Sequence, residues 1–320
     1  DDSIDLIVTD PPYFKVKPNG WDNQWKGDED YLKWLDHCLA QFWRVLKPAG
    51  SLYLFCGHRL ASDIEIMMRE RFNVLNHIIW AKPSGRWNGC NKESLRAYFP
   101  ATERVLFAEH YQGPYRGKSD GYAAKERELK QHIMAPLISY FRDARAELGI
   151  TAKQIAEATG KKNMVSHWFG ASQWQLPNEA DYRKLQALFS RIAAEKFQEQ
   201  QQEQPHHQLV ASYDSLNRKY SELLDEFKSL RRYFSVSVSV PYTDVWTHKP
   251  VQFYPGKHPC EKPADMLRQI INASSRPGDL VADFFMGSGS TIKAAMALGR
   301  RALGVELESE RFNQTVKEVS

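Results

Sequence analysis

Apolar positions along this chain switch between two periods, and the order of the switches sets the expected fold. Ile4 to Thr9 is a short continuous apolar run, the signature of a strand buried on both faces. Tyr31 to Leu46 instead repeats its apolar positions every three or four residues, as an amphipathic helix does. Lys47-Pro48-Ala49-Gly50 breaks that helix, after which Ser51 to Cys56 reads as strand, Leu60 to Arg71 as helix and Asn76 to Trp80 as strand. The far end resumes the alternation with a helix from Ala264 to Ser274, a Pro277-Gly278 turn, a strand from Leu280 to Asp283, a helix from Thr291 to Leu298 and a strand from Ala302 to Glu306. Strands alternating with helices predict an α/β fold, a doubly wound parallel sheet.

The middle has a different texture. Leu137 to Leu148 is helical in pattern, and Thr151 to Gly160 followed by Asn163 to Phe169 has helix, glycine turn, helix spacing. That spacing fits a DNA-reading helix-turn-helix, with Asn163 and His167 as candidate contacts, and fits a plain helical hairpin as well. Gln198 to His207 reads as a polar linker, and Tyr213 to Phe234 as a further amphipathic helix. The expected division is therefore 1–112 and 240–320 as two halves of one α/β domain, with 113–239 as a mainly helical insert.

Ligands of open α/β sheets bind outside the carboxyl ends of the strands, so the loops after Thr9 and Asp283 are expected to face one crevice. Gly287-Ser288-Gly289 alone is a weak signal. A P-loop would need Lys-Ser/Thr at its end, and a dinucleotide loop would want glycine where Ile292 stands. Asp283 is a poor neighbour for a pyrophosphate but suits a ligand with a sulfonium and an ammonium, and Glu306 is placed to accept hydrogen bonds from a ribose diol. S-adenosyl-L-methionine has all of these features. Asp10-Pro11-Pro12-Tyr13 supplies the complementary chemistry. An exocyclic amine on a nucleobase is a poor nucleophile because its lone pair is delocalised. The Asp10 carboxylate and the Pro11 carbonyl, held by stiff prolines, are two acceptors for its N–H bonds, and Tyr13, with Phe14, offers a face for a base swung out of the helix.

The chain of 320 residues carries a net charge of only +4, which by itself does not establish a polyanionic partner. Between Lys82 and Lys118, however, Lys82, Arg86, Lys92 and Arg96 are interleaved with Trp87, Tyr98 and Phe99. That pattern fits a grip on a phosphate backbone, and equally a solvated face beside a core strand from Arg104 to Ala108. Four cysteines with no ligand spacing indicate neither zinc nor disulfides, so no metal is expected, and a reducing cytoplasm fits. No apolar run reaches membrane-spanning length and no signal peptide is recognised.

Asp10-Pro11-Pro12-Tyr13 together with Asp283-Phe284-Phe285-Met286-Gly287-Ser288-Gly289 resembles the DNA amino-methyltransferases that act on adenine N6, and the tetrad preceding the glycine loop is similar to the order of their β class. The resemblance covers residues 1 to 112 and 240 to 320. It implies a permuted, Rossmann-like S-adenosylmethionine-dependent methyltransferase fold, catalysis by Asp10, Pro11, Pro12 and Tyr13, and double-stranded DNA as partner with the target adenine flipped out. It further implies a cofactor site drawn from Lys262, Pro263, Asp283, Phe284, Phe285, Gly287, Ser288, Gly289, Ser290, Thr291 and Glu306. The middle resembles an insert carried by phage and prophage adenine methyltransferases. Two departures stand out. Phe284 replaces the family's usual proline, and family members carry a further strand ahead of the tetrad, ending in an acid that contacts the cofactor adenine, whereas this sequence begins at Asp1, so a missing N-terminal segment is expected. Cytosine-N4 methylation is the near alternative, disfavoured by Asp10 where such enzymes usually have serine. A DNA-binding regulator with an inactive methyltransferase domain and a methyltransferase acting on RNA or a protein amide are the distant ones. A homodimer is left open.

Overall fold

The computed structural model describes residues 1–15, 20, 23–83, 91–110, 122–200, 209–236, 243–254, 258 and 260–319. They form two compact units, Asp1–Tyr122 with Arg232–Ser320, and Ala123–Arg231.

The first unit is built on a sheet whose strands among the described residues are β1 (Ile4–Thr9), β2 (Leu46–Cys56), β3 (Phe72–Ala81), β4 (Thr102–His110), β5 (Val245–Thr247), β6 (Leu280–Asp283) and β7 (Arg301–Gly304), in the spatial order β5-β3-β4-β2-β1-β6-β7. β1 runs parallel to both β2 and β6, in register Leu6 to Val281 and Ile7 to Ala282. The two strands that carry the sequence motifs are therefore neighbours, although some 270 residues separate them along the chain. Helices α1 (Asp28–Val45) and α2 (Ala61–Met68) follow β1 and β2. Leu35, Leu39, Phe42 and Ile64 from them pack with Ile7, Leu52 and Leu54 on one face of the sheet. Met266, Leu267, Ile270 and Ile271 of α8 (Ala264–Ser274) pack with Leu6, Val8, Tyr53 and Phe55 on the other, together with Ala294 and Ala295 of α9 (Ser290–Ala297). Residues alternating along β1 and β2 thus feed two cores, which is why these strands read as continuous apolar runs rather than as an alternation.

One expectation is corrected. The sheet is mixed, because β4 runs antiparallel to both β2 and β3. A parallel return needs a crossover helix, and the described residues between β3 and β4 contain only a single 3-10 turn at Lys92–Ser94. This reversal brings the first residues of β4 level with the carboxyl end of β2, pairing Arg104 with Cys56.

The second unit is helical: α3 (Tyr122–Leu148), α4 (Ala152–Thr159), α5 (Val165–Phe169), α6 (Glu179–Gln200) and α7 (Tyr213–Leu230). Phe141, Ile155, Trp168, Tyr182, Leu185, Phe189, Leu223 and Phe227 are among the residues of its own core. Thr151 caps α4 in a reciprocal capping box with Gln154, and Gly160 ends it at φ +74°, a left-handed position suited to glycine. The turn then tightens through a 3-10 segment at Lys162–Met164, which leaves α5 only five residues long. Ser309–Val319 forms α10 after β7 in the first unit.

Candidate active site

Thr9, the last residue of β1, ties the two motif strands together at their carboxyl ends. Its buried hydroxyl donates to Asp283 Oδ1 at 3.0 Å and accepts from the Phe284 N–H at 3.2 Å. A cavity of about 390 Å³ opens beyond this bond, inside the size range of small-molecule sites. Asp10, Pro11, Pro12 and Tyr13 line it from β1, and Asp283 to Ser288, Ser290 and Thr291 line it from β6 and α9. Glu306 and Lys262 line it as well, so the structure brings both predicted motifs to one crevice. Pro263 is the residue before α8, and Gly289 precedes α9. His258 also lines the cavity, as do Thr9, Trp34 and Leu307, which sequence reasoning did not single out as site residues.

The glycine loop is shaped by backbone. Gly287 has φ +51° and Gly289 φ +70°, both in the left-handed region. A Cβ on Gly287 would lie 3.0 Å from the His258 ring, and one on Gly289 would lie 2.3 Å from Thr315 Cγ2. Glu306 steadies the loop by accepting the Gly287 N–H at 2.9 Å through Oε2 and the Glu308 N–H at 2.9 Å through Oε1. Asp283 is buried, and that burial pushes its carboxyl up to about 6, against hydrogen bonds from Thr291, the Phe285 N–H and Thr9 that favour the charged form. Phe284, where the resemblance leads one to expect proline, uses its N–H to reach Thr9, a bond proline lacks the donor to make. Its ring stacks on Phe42 with centroids 5.1 Å apart.

The tetrad end is shaped by charge. Lys262 lies here: its ammonium pairs with Asp10 Oδ2 and lies 3.7 Å from Glu103 Oε2. Glu103 also pairs with Lys82 and accepts a hydrogen bond from the Tyr13 hydroxyl at 3.3 Å. Burial raises the Asp10 carboxyl against the pull of Lys262. Burial acts the same way on Glu103, but Lys262 and Lys82 outweigh it and hold that carboxyl below its usual range. Lys262 itself is held above the ordinary lysine value, because Asp10 and Glu103 overcome the effect of its burial. Asp10 Oδ1 is buried and has no hydrogen-bond partner among the described residues.

Several expected contacts fall elsewhere. Phe14 is not an open stacking face: it is buried, stacks on Tyr31 at 6.0 Å and meets Trp25 edge-on. Lys82 is half-buried and engaged by Glu103, with its ammonium 4.7 Å from the Trp80 ring centroid, so it is not a free phosphate contact. Arg86 lies outside the described residues, as does the side chain of Lys92. Arg96 and Tyr98 are exposed. In the helical unit Asn163 is exposed, and His167 Nδ1 lies 3.2 Å from the Gln173 carbonyl. Among the described residues no His, Cys, Asp or Glu cluster is arranged to hold a metal, and no helix is long and apolar enough to cross a membrane.

With this geometry in place, likeness to known proteins becomes informative. The chain is 26% identical to the DNA adenine methyltransferase YhdJ of Escherichia coli (strain K12), over 97% of this chain and 74% of that protein. It is 36% identical to the Type II methyltransferase M2.LlaDCHI of Lactococcus lactis subsp. cremoris, over 97% of this chain and 79% of the relative. The cytosine-N4-specific PvuII DNA methyltransferase superposes with a TM-score of 0.51 at 14% identity, covering 98% of this chain and 79% of that one. This last likeness shows the fold, a mixed α/β, class-I-like methyltransferase fold with permuted strand order and helical insertion. The DNA methylase family model matches residues 4–317, and the chain belongs to that family.

Proposed function

We propose that this protein transfers a methyl group from S-adenosyl-L-methionine to the N6 amine of adenine in double-stranded DNA, with the target base flipped out of the helix. The observation that carries this reading is Asp10: one carboxylate oxygen is held by Lys262 and the other is buried and unpartnered among the described residues, beside a cavity shared with the glycine loop. A buried free acceptor is costly unless a ligand group completes it, and an exocyclic N–H of the target base is such a group. The Pro11 carbonyl is the second acceptor. Together they draw the amine nitrogen toward tetrahedral geometry and aim its lone pair, while Tyr13 supplies the face for the extruded base.

S-adenosyl-L-methionine supplies an activated methyl on a sulfonium. The residues present fit it: Asp283 offers a carboxylate for its cationic end, Gly287 and Ser288 line the cavity beside it, and Glu306 is the acid for the ribose hydroxyls. Glu306 makes those bonds in addition to the two backbone bonds it already accepts. Arg96 and Tyr98, with Arg86 and Lys92 of the same stretch, are the proposed backbone contacts, and Asn163 and His167 are proposed to meet DNA from the helical unit. Adenine as the target is supported by Asp10 and by the adenine specificity of the E. coli relative.

The test is transfer of labelled methyl to unmethylated DNA, followed by mass spectrometry of the nucleosides. N6-methyladenine is expected. N4-methylcytosine as the main product overturns the choice of base, and DNA binding without any methyl transfer overturns the enzymatic reading.

A further inference from the structure

Glu103 has no place in the motifs, yet the fold delivers it to the tetrad. The antiparallel course of β4 puts its second residue at the rim where β1 and β2 end. There Asp10, Glu103, Lys262 and Lys82 form a buried or half-buried set of two anions and two cations, neutral as a whole. Lys262 lies between the two carboxylates, and the Tyr13 hydroxyl, which interacts with Asp10 as well, donates to Glu103 at 3.3 Å. We propose that Glu103 is a positioning residue for methyl transfer, dividing the charge of Lys262 between two carboxylates and fixing Tyr13, so that Asp10 Oδ1 stays open to the target amine. This rests on the reading of Asp10 as the amine acceptor.

The physical reason is competition. A buried ammonium facing one carboxylate alone gives it all of its hydrogen bonding, which makes that carboxylate a weaker acceptor for anything else. A second carboxylate on the same ammonium relieves that hold and adds negative potential, which keeps Asp10 basic. Among the described residues, the charged and titratable groups facing Asp10 are Lys262 ahead of α8, Glu103 on β4, Tyr13 after β1, Cys56 at the end of β2 and Asp283 at the end of β6. Replacing Glu103 by a neutral residue removes the one acid among them that also binds Lys262, so Asp10 must then ionise at lower pH. The rate falls even though Asp10 becomes easier to ionise, a combination that loss of structure does not produce.

The experiment compares the parent protein with Glu103→Gln and Glu103→Asp. Single-turnover methyl transfer under saturating cofactor is expected to fall roughly 10- to 100-fold in Glu103→Gln, as for a small misplacement of reacting groups, and to recover in part in Glu103→Asp. Cofactor affinity by calorimetry is expected to stay within about twofold, and the acid limb of the pH–rate profile to move to lower pH. An NMR titration of protein carrying 13C-labelled aspartate carboxyls, with Asp10 assigned through Asp10→Asn, reads the same downward move without turnover. A parent-like rate in Glu103→Gln, or a slow variant whose Asp10 titration and acid limb have not moved, overturns the proposal. A parent that transfers no methyl to DNA while its Asp10 titration still depends on Glu103 overturns the reading of the reaction and leaves the charge division standing.

Discussion

β1 and β6 lie side by side and end at the same rim, yet the two ends are made from different materials. At the end of β1 the chain places side-chain charge: Asp10 and Glu103 against Lys262 and Lys82. At the end of β6 it places backbone: two left-handed glycines, a loop N–H bound by Glu306, and a single buried carboxyl, Asp283, with no cation paired to it among the described residues. The difference teaches what each end is for. A paired, preorganised set suits a step in which charge develops on a neutral amine. An unpaired buried carboxyl suits a ligand that brings its own positive charge, which then serves as the missing partner.

The comparison breaks most sharply at Asp10. Asp10→Asn keeps the size of the side chain but removes its charge, and methyl transfer is expected to drop by roughly 10²- to 10³-fold, the cost of losing one preorganised electrostatic contact. Cofactor affinity measured by calorimetry should hardly move. A variant that loses cofactor binding in step with turnover would show that the two ends are one site rather than two. The reciprocal change is Gly289→Ala, which forces a side chain into a left-handed position and against Thr315. Strain and overpacking together are expected to cost roughly 2–4 kcal/mol in urea unfolding. Thr315→Ala in the same chain should recover only the packing share, since the backbone position is unchanged.

What the sequence revealed follows the same divide. The glycine loop and the strand before it were legible because short-range rules govern them: an apolar run, a positive-φ requirement, a helix start. The adjacency of the two motifs followed from the ligand-at-the-carboxyl-edge rule, and β1 and β6 do pair. The contacts of Glu103 with Lys262 and Tyr13 were not legible, because they depend on which way β4 runs, and nothing local in Arg104 to Ala108 encodes a direction. Phe14 was misjudged for the opposite reason: an aromatic beside a functional tyrosine looks available until Trp25 and Tyr31 close over it. α6 was readable and missed. Asn178 caps it by accepting the Asp181 N–H at 2.9 Å, and Tyr182, Leu185, Phe189 and Ile192 follow at helical spacing.

Asp283 sharpens the comparison through pH. Its carboxyl titrates at about 6 in the free protein because burial disfavours its charge. A cationic ligand end favours the ionised form. Below about pH 6 cofactor binding should therefore release a proton, and affinity should fall by up to about tenfold for each further unit of pH. Calorimetry in buffers of different ionisation enthalpy measures the release directly. In the free protein the sign is reversed: a carboxyl whose folded value exceeds its unfolded value of 3.8 stabilises most at low pH, and that contribution is lost as pH rises toward about 6. Cofactor should accordingly raise the melting temperature more at pH 7.5 than at pH 5.5, and Asp283→Asn should flatten both dependences. Proton release that survives in Asp283→Asn would assign the titration to another group.

The smallest effect tests one of the two bonds by which Thr9 joins the ends. Phe284→Pro removes the N–H that Thr9 accepts, a loss of about 0.5–1.5 kcal/mol, and it also removes the ring stacked on Phe42. Phe284→Leu separates these effects, because it keeps the N–H and gives up only the ring. If the bond matters, the proline variant is the less stable of the two in urea, and its Asp283 titration shifts as the Thr9 hydroxyl is released from Phe284. If the two variants unfold alike, the contribution of Phe284 lies in its ring, and Thr9 joins the two ends through its bond to Asp283 alone.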